Sequence, residues 1–321
     1  MTPIERFLHA LDRQPVDMVP LWDLEFHAWD AATGKHVVLG HEMERLSSLE
    51  QEYALQQNAE IFLTVAREFE FSAFTPPNAY WEQAPGELAY YVLPGETRYR
   101  QFEIVAELTR GEIALAGISG ALQGANYDMD FCVTLFEAPE EIDAGCRRLY
   151  QEGLVLAERF RDLGVHAVVV AADIADNAGP FFNPAQMERF FLPYLHDYAA
   201  ACHQMGMRLI LHTDGFLPDA YLRLLAATGL DGLQAIDPVA GMDMATALDA
   251  VDDRLTLCGN IDCGLLLLGT PDDVYHTTRD LLTTSTPRGS IILGASNAVQ
   301  PEVPIENYRA MYRAWKEYGG L

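Results

Sequence analysis

A chain of 321 residues, half of them hydrophobic and a fifth charged, has the composition of a folded globular protein rather than a disordered one. Its 47 acidic residues outnumber 21 Lys and Arg, and the resulting net charge of −26 excludes nucleic acid and anionic membrane surfaces as partners. Five scattered cysteines without a CxxC pair exclude a disulfide framework and fit free thiols in a cytoplasmic protein.

The opening "MTPIERFLHALDRQPVD" is charged and amphipathic, which predicts a helix over about 3–12 and not a signal peptide. No run of about eighteen apolar residues follows, so no membrane span is expected. The first strand is "MVPLW" (18–22). A helical stretch containing "RLSSLEQEYALQQNAEIFL" leads to the weaker strand "FEFSAF" (69–74). "GELAYYVLPGETRYRQFE" (86–103) reads as two polar–aromatic strands joined at Pro94-Gly95, a β-hairpin inserted in the second connection. Six further strands are "IALAGI" (113–118), "VHAVVVAAD" (165–173), "RLILHTD" (208–214), "GLQAID" (232–237), "LTLCGNID" (255–262) and "SIILGAS" (290–296). Helices are predicted between them over 138–164, 183–206, 217–229 and 270–285, three of them opening beside a proline.

The strand runs are continuously apolar rather than alternating, as strands covered on both faces should be. Alternating strands and helices with short connections make parallel βα units. Eight units predict an α/β fold closed as a (β/α)8 TIM barrel, and residues 1–321 read as one domain. The competing open doubly wound sheet lacks its phosphate loop, since "GISGALQG" (117–124) has the wrong spacing; no nucleotide cofactor is expected.

Barrel active sites gather at the C-terminal strand ends. Those ends carry Trp22, Asp23, Glu25 and His27; Asp173, Asp176 and Asn177; His212 and Asp214; Asp237; Asn260 and Asp262; Ser296 and Asn297. Any one Asp or Asn there could serve a turn or a helix cap. Their convergence on one mouth predicts a small-molecule site, with Asp173, His212, Asp214 and Asp262 as the candidate catalytic groups. His212 and Asp214, two apart in an extended run, point to the same side. Such a pair can hold a proton-transfer imidazole or offer nitrogen and oxygen to zinc. An open zinc site needs about three protein ligands, and Asp173, Asp262 or Glu25 could complete it. Acid/base catalysis without metal stays open beside that reading. Phe181 and Phe182, with Trp22, Tyr80 and Trp81, are candidate walls for an aromatic substrate, against plain core packing as the alternative.

Five stretches together carry a resemblance: "RFLHALDRQPVDMVPLW", "DIADNAGPFFNPAQMERFFLPYL", "LILHTDGFLPDAYLRLLAATGLDGLQAIDP", "LCGNIDCGLLLLGTPDDV" and "IILGASNAVQPEVPIENYRAM". They resemble the uroporphyrinogen decarboxylase superfamily over nearly the whole chain, which implies a (β/α)8 barrel. True decarboxylases of that family carry an arginine-rich RQAGR-like segment after the first strand. Here "WDLEFHAWD" stands there, with Asp23, Glu25 and His27, and an acidic mouth repels a polycarboxylate porphyrinogen. The other branch comprises corrinoid-dependent methyltransferases, whose coenzyme M members hold zinc through His-x-Cys at the fifth strand and Cys after the eighth. The matching positions here are His212, Asp214 and Asn297, so the histidine remains without the two thiolates.

The resemblance therefore implies a methyltransferase-like enzyme that uses harder metal ligands or none. It would move a methyl group between a small ether or amine and a corrinoid carried by a partner protein. A carboxy-lyase acting on a tetrapyrrole or smaller carboxylate is the alternative. A non-catalytic barrel serving as a binding or scaffold subunit is the third reading. Besides substrate, a corrinoid-binding protein and a second copy of the chain, as homodimer, are the expected partners.

Overall fold

The computed structural model describes residues 1–78, 82–84, 87–88, 92–125 and 128–321. The first helix, α1 (Pro3–Leu11), is capped by Thr2, whose hydroxyl accepts from the Glu5 amide while the Glu5 carboxylate accepts from the Thr2 amide. Residues 18–22 then form a segment, here labelled β1, that pairs only through isolated bridges, Leu21 parallel to Leu293 and Met18 antiparallel to Gly320. Seven parallel strands follow in spatial order: β2 (Ala73–Phe74), β3 (Ala114–Ser119), β4 (Ala167–Ala171), β5 (Arg208–His212), β6 (Gly232–Gln234), β7 (Thr256–Ile261) and β8 (Ile291–Ala295). β1 closes the gap between the two edges. On one side Trp22 N–H donates to the Leu293 carbonyl at 2.9 Å and Leu293 N–H to the Pro20 carbonyl at 2.9 Å. On the other side Ser72 N–H donates to the Leu21 carbonyl at 2.8 Å. The seam is tight at Gly294, where a Cβ would sit 2.1 Å from the Trp22 carbonyl oxygen, so only glycine fits.

The outer layer comprises α2 (Ser48–Glu68), α3 (Thr97–Thr109), α4 (Pro139–Asp162), α5 (Leu192–Gln204), α6 (Asp219–Ala226), α7 (Met244–Val251), α8 (Pro271–Ser285) and α9 (Ile305–Tyr318). The proline starts expected at 139, 184 and 271 are all present, and Asn183 and Thr270 cap two of them. A single π-helical turn, Met187–Phe191, leads into α5. The hairpin expected near 86–103 exists earlier and smaller, as Glu82–Ala84 paired antiparallel with Glu87–Leu88. Its predicted second arm is instead the start of α3. Gln101, Phe102, Ile104 and Val105 recur at helical spacing and bury that face, which overrides the aromatic–polar alternation.

Two apolar cores separate inside from outside. Trp22, Ala114, Ala116, Val169, Ile210, Cys258 and Ile292 fill the barrel lumen, and α1 stops its lower end with Phe7, Ala10 and Leu11. Val168, Val170, Leu209, Leu211, Leu233 and Leu293 face the outer helices. Because strand side chains alternate, this parity fixes what reaches the mouth. Ile210 points inward, so His212 does too; Val169 points inward, so Asp173 follows it; Leu233 points outward, which turns Gln234 inward. All five cysteines are free. Among the described residues, no helix is long and apolar enough to cross a membrane.

Candidate active site at the barrel mouth

Asp173, His212 and Asp214 meet at the mouth, each offering a ligand atom within 4.8 Å of the others. The strands place the first two, and a loop contact places the third. Gly215, at φ +93°, lies so close to the backbone of Ala175 and Asp176 that a Cβ would come within 2.6–2.7 Å of it. That approach presses the 213–216 turn onto the loop after β4. Asp214 N–H then donates to Asp173 Oδ1 at 2.9 Å, and Phe216 N–H to the Asp176 carbonyl at 2.8 Å. Asp237 clamps the same turn, its carboxylate accepting from Gly215 N–H at 3.1 Å.

His212 is 7 % exposed and its imidazole is held from behind. Gln234, directly opposite in the β5–β6 register, spends its amide hydrogens on the carbonyls of Ala295 and Ser296 at 3.2 and 3.0 Å. Its carbonyl oxygen is thereby turned to His212 Nδ1, which must donate to it. Nδ1 therefore carries a proton, and Nε2, the lone-pair nitrogen of the neutral ring, lies 3.9 Å from Asp214 Oδ1. Asn297 donates through Nδ2 to Asp214 Oδ2 at 2.7 Å and accepts from Ala298 N–H at 2.7 Å, which leaves Oδ1 of Asp214 facing the histidine. Burial pushes the Asp214 carboxyl above the usual carboxylate range. Asp173 and Asp237 push it further, while His212 and Asn297 oppose the shift.

This arrangement fits a divalent cation. One imidazole nitrogen and two carboxylate oxygens converge, and Gln234 and Asn297 orient them from outside, as supporting residues do in built metal sites. Asp214 and Asn297 are joined here by a hydrogen bond, and Asp173 offers a further carboxylate oxygen beside His212.

The remaining candidates lie elsewhere. Asp262 caps the Cys263–Leu268 helix, its carboxylate accepting from Gly264 N–H at 2.7 Å. Asn260 is buried and donates to the Ile236 carbonyl at 2.7 Å. Asn177 sits exposed at the tip of the turn that Asp176 holds by accepting from Ala178 and Gly179. Trp22 belongs to the lumen core, its indole N–H donating to Thr75 Oγ1 at 2.9 Å, because its parity turns it inward beneath the mouth. Phe182 packs between Phe131 and Phe190 in the outer core, while Phe181 is only half-buried. Glu25 and His27 are buried beside one another at 3.8 Å. Tyr80 and Trp81 lie outside the described residues.

Two features escaped sequence reasoning. Gln234 was visible only as a lone polar residue in an apolar strand. The other is the burial of Asp23, which the sequence places at a strand end but which lies under the mouth, accepting from Ala295 N–H at 2.8 Å and from the Tyr308 hydroxyl. Burial raises its carboxyl to about 6, against the pull of those two hydrogen bonds.

A family model described as uroporphyrinogen decarboxylase (URO-D) matches residues 104–318. A uroporphyrinogen decarboxylase of Syntrophotalea carbinolica is 25% identical over 61% of this chain, and that match spans only 57% of the relative's own length. One from Cellvibrio japonicus is 26% identical over 98% of this chain and 97% of its own. Among solved structures, a methyltransferase from Methanosarcina mazei superposes with a TM-score of 0.71 at 16% identity, covering 99% of both chains. That likeness shows a shared fold.

Proposed function

The chain belongs to the uroporphyrinogen decarboxylase family, and we propose that within it this enzyme removes a methyl group from a small ether or amine. The acceptor is a corrinoid held by a partner protein. The observation that carries this reading is the meeting of His212, Asp214 and Asn297, the three positions that match the zinc ligands of methyltransferase relatives, with Asp173 beside them.

Asp173, His212 and Asp214 would hold a divalent cation such as zinc, through Nε2 and one oxygen of each carboxylate. A cation there would supply Lewis acidity to an ether oxygen that loses its methyl group; a quaternary nitrogen, with no lone pair, would need none. The chain's own residues do the positioning. Gln234 keeps the His212 lone pair aimed into the mouth, Asn297 keeps one Asp214 oxygen turned towards it, and Gly215 and Asp237 fix the turn that carries Asp214. Without a cation, the raised carboxyl of Asp214 is the group that can hold a proton for the departing atom.

Carboxy-lyase chemistry is the second reading, favoured by the name that the curated relatives share. Against a porphyrinogen stands the segment "WDLEFHAWD" after the first strand, which holds none of the arginines the resemblance would require. Metal analysis of the purified protein, paired with Asp214→Ala, tests the lead reading. One bound divalent ion, lost in the variant together with methyl transfer to cob(I)alamin, is the expected result. Full methyl transfer by metal-free protein would remove the metal from the proposal. Release of carbon dioxide from uroporphyrinogen would replace methyl transfer by the second reading.

A further inference from the structure

The strand ends define which residues begin each passage from the lumen to the outer layer. The first ten after each strand are 23–32, 75–84, 120–129, 172–181, 213–222, 235–244, 262–271 and 296–305, together a quarter of the chain. None is Lys or Arg, although an even spread would put about five of the chain's 21 there. Each stretch holds at least one Asp or Glu. The first arginines beyond them, such as Arg189, Arg223 and Arg309, already sit on outer elements and pair with Asp143, Asp219 and Glu68. The one histidine in these stretches, His27, stands against Glu25.

The centre of the mouth has the same character. His212 Nε2 belongs to a side chain more than nine-tenths buried, and among the described residues no hydrogen bond reaches it; Asp214 Oδ1 stands 3.9 Å away. Its neighbours Asp173 and Asp214 also present acceptor oxygens. A substrate anion would therefore meet acceptors and no fixed positive charge. A divalent cation at the triad would be taken up by the Asp173 and Asp214 carboxylates that hold it, with the Asp237 carboxylate still beside them on the Gly215 amide.

We propose that the substrate of this mouth is itself a cation of the methylated-ammonium class, held by charge at Asp173, Asp214 and Asp237. The proposal rests on the methyl-transfer reading and narrows its ether-or-amine substrate to the amine. The chemistry suits the site. When a quaternary nitrogen loses a methyl group to a corrinoid nucleophile, the C–N bonding pair stays on nitrogen and the amine leaves neutral. No proton has to be delivered to the leaving atom, whereas an ether oxygen needs one or a metal in its place.

Titration calorimetry at constant ionic strength tests this with three molecules of one shape: tetramethylammonium, tert-butanol and pivalate. Saturable binding of tetramethylammonium is expected, with tert-butanol at least tenfold weaker and pivalate undetected, on metal-free and zinc-loaded protein alike. Asp173→Asn should weaken tetramethylammonium about tenfold, and Asp214→Asn repeats the test if that variant does not fold. Asp249→Asn, on the outer helix beside Arg288, should change nothing. Binding of pivalate as tight as tetramethylammonium, or no saturable binding of tetramethylammonium to either form, would overturn the proposal. Because binding is read without turnover, tetramethylammonium that binds and keeps its methyl group refutes the methyl-transfer reading and leaves the charge preference standing.

Discussion

Gln234 holds His212 in one tautomer, because both hydrogens of its amide are already committed to the carbonyls of Ala295 and Ser296. The histidine and the glutamine face each other across adjacent strands, so the constraint is built into the register of the barrel. Replacing Gln234 by Ala frees the imidazole to flip or change tautomer without touching the three ligands. Affinity for zinc should fall about 10- to 100-fold while the fold is kept. Competition with a chromophoric chelator reads the first, and circular dichroism the second. Unchanged affinity would mean that Gln234 serves only the core.

Two strand-end acids, Asp173 and Asp262, separate by the jobs they hold. Asp173→Asn keeps an acceptor for the Asp214 amide but loses the charge, and should weaken metal binding at least about tenfold with little change in melting temperature. Asp262→Asn should leave metal binding unchanged, since that carboxylate is spent on capping a helix. Equal losses in both variants would argue for a general electrostatic effect rather than a ligand.

Gly215→Ala forces a Cβ into the backbone of Ala175 and Asp176 at a positive φ. A destabilisation of roughly 2–4 kcal/mol in urea unfolding is expected. The loop carrying Asp214 should give way first, so metal affinity ought to be lost in protein that still melts cooperatively.

Asp23 makes stability depend on pH in a defined direction. Unfolded, its carboxyl loses its proton near pH 4; folded, near pH 6. Between those values the unfolded chain binds fewer protons, so this residue's contribution is present at low pH and is lost as pH rises from 4 to 6. The span corresponds to about 3 kcal/mol. Asp23→Asn keeps an acceptor for Ala295 N–H and abolishes the titration. Relative to the unaltered protein, the variant should gain about 3 kcal/mol in denaturant unfolding between pH 4 and pH 7. A difference that stays flat with pH would show that Asp23 ionises normally.

The barrel was legible because seven of its strands are apolar runs bounded by polar ends, and closely spaced βα units permit few other topologies. The weak second strand was legible too, although only Ala73–Phe74 pairs. His212 and Asp214 could be assigned to one side by alternation alone. Asp173 was recognised as a strand-end acid, but its closeness to Asp214 depends on how Gly215 packs, which no local pattern encodes. Asp237 and Asp262 show the converse. Asp237 reads as a binding residue and Asp262 as a catalytic acid, and the structure gives one carboxylate a turn to clamp and the other a helix to cap. Trp22 was misjudged as a wall because aromatic character does not reveal which way a strand residue faces. Gln234 went unnoticed because its role appears only once its strand is laid beside the fifth.

The groups at the centre of the mouth come from one side of the molecule. Asp173, His212, Asp214, Gln234, Asp237 and Asn297 all follow the fourth to eighth strands, and none comes from the first three. The carboxylates proposed to hold the substrate belong to the same block as the histidine, so an exchange of the chain's second half should carry reaction and substrate preference together.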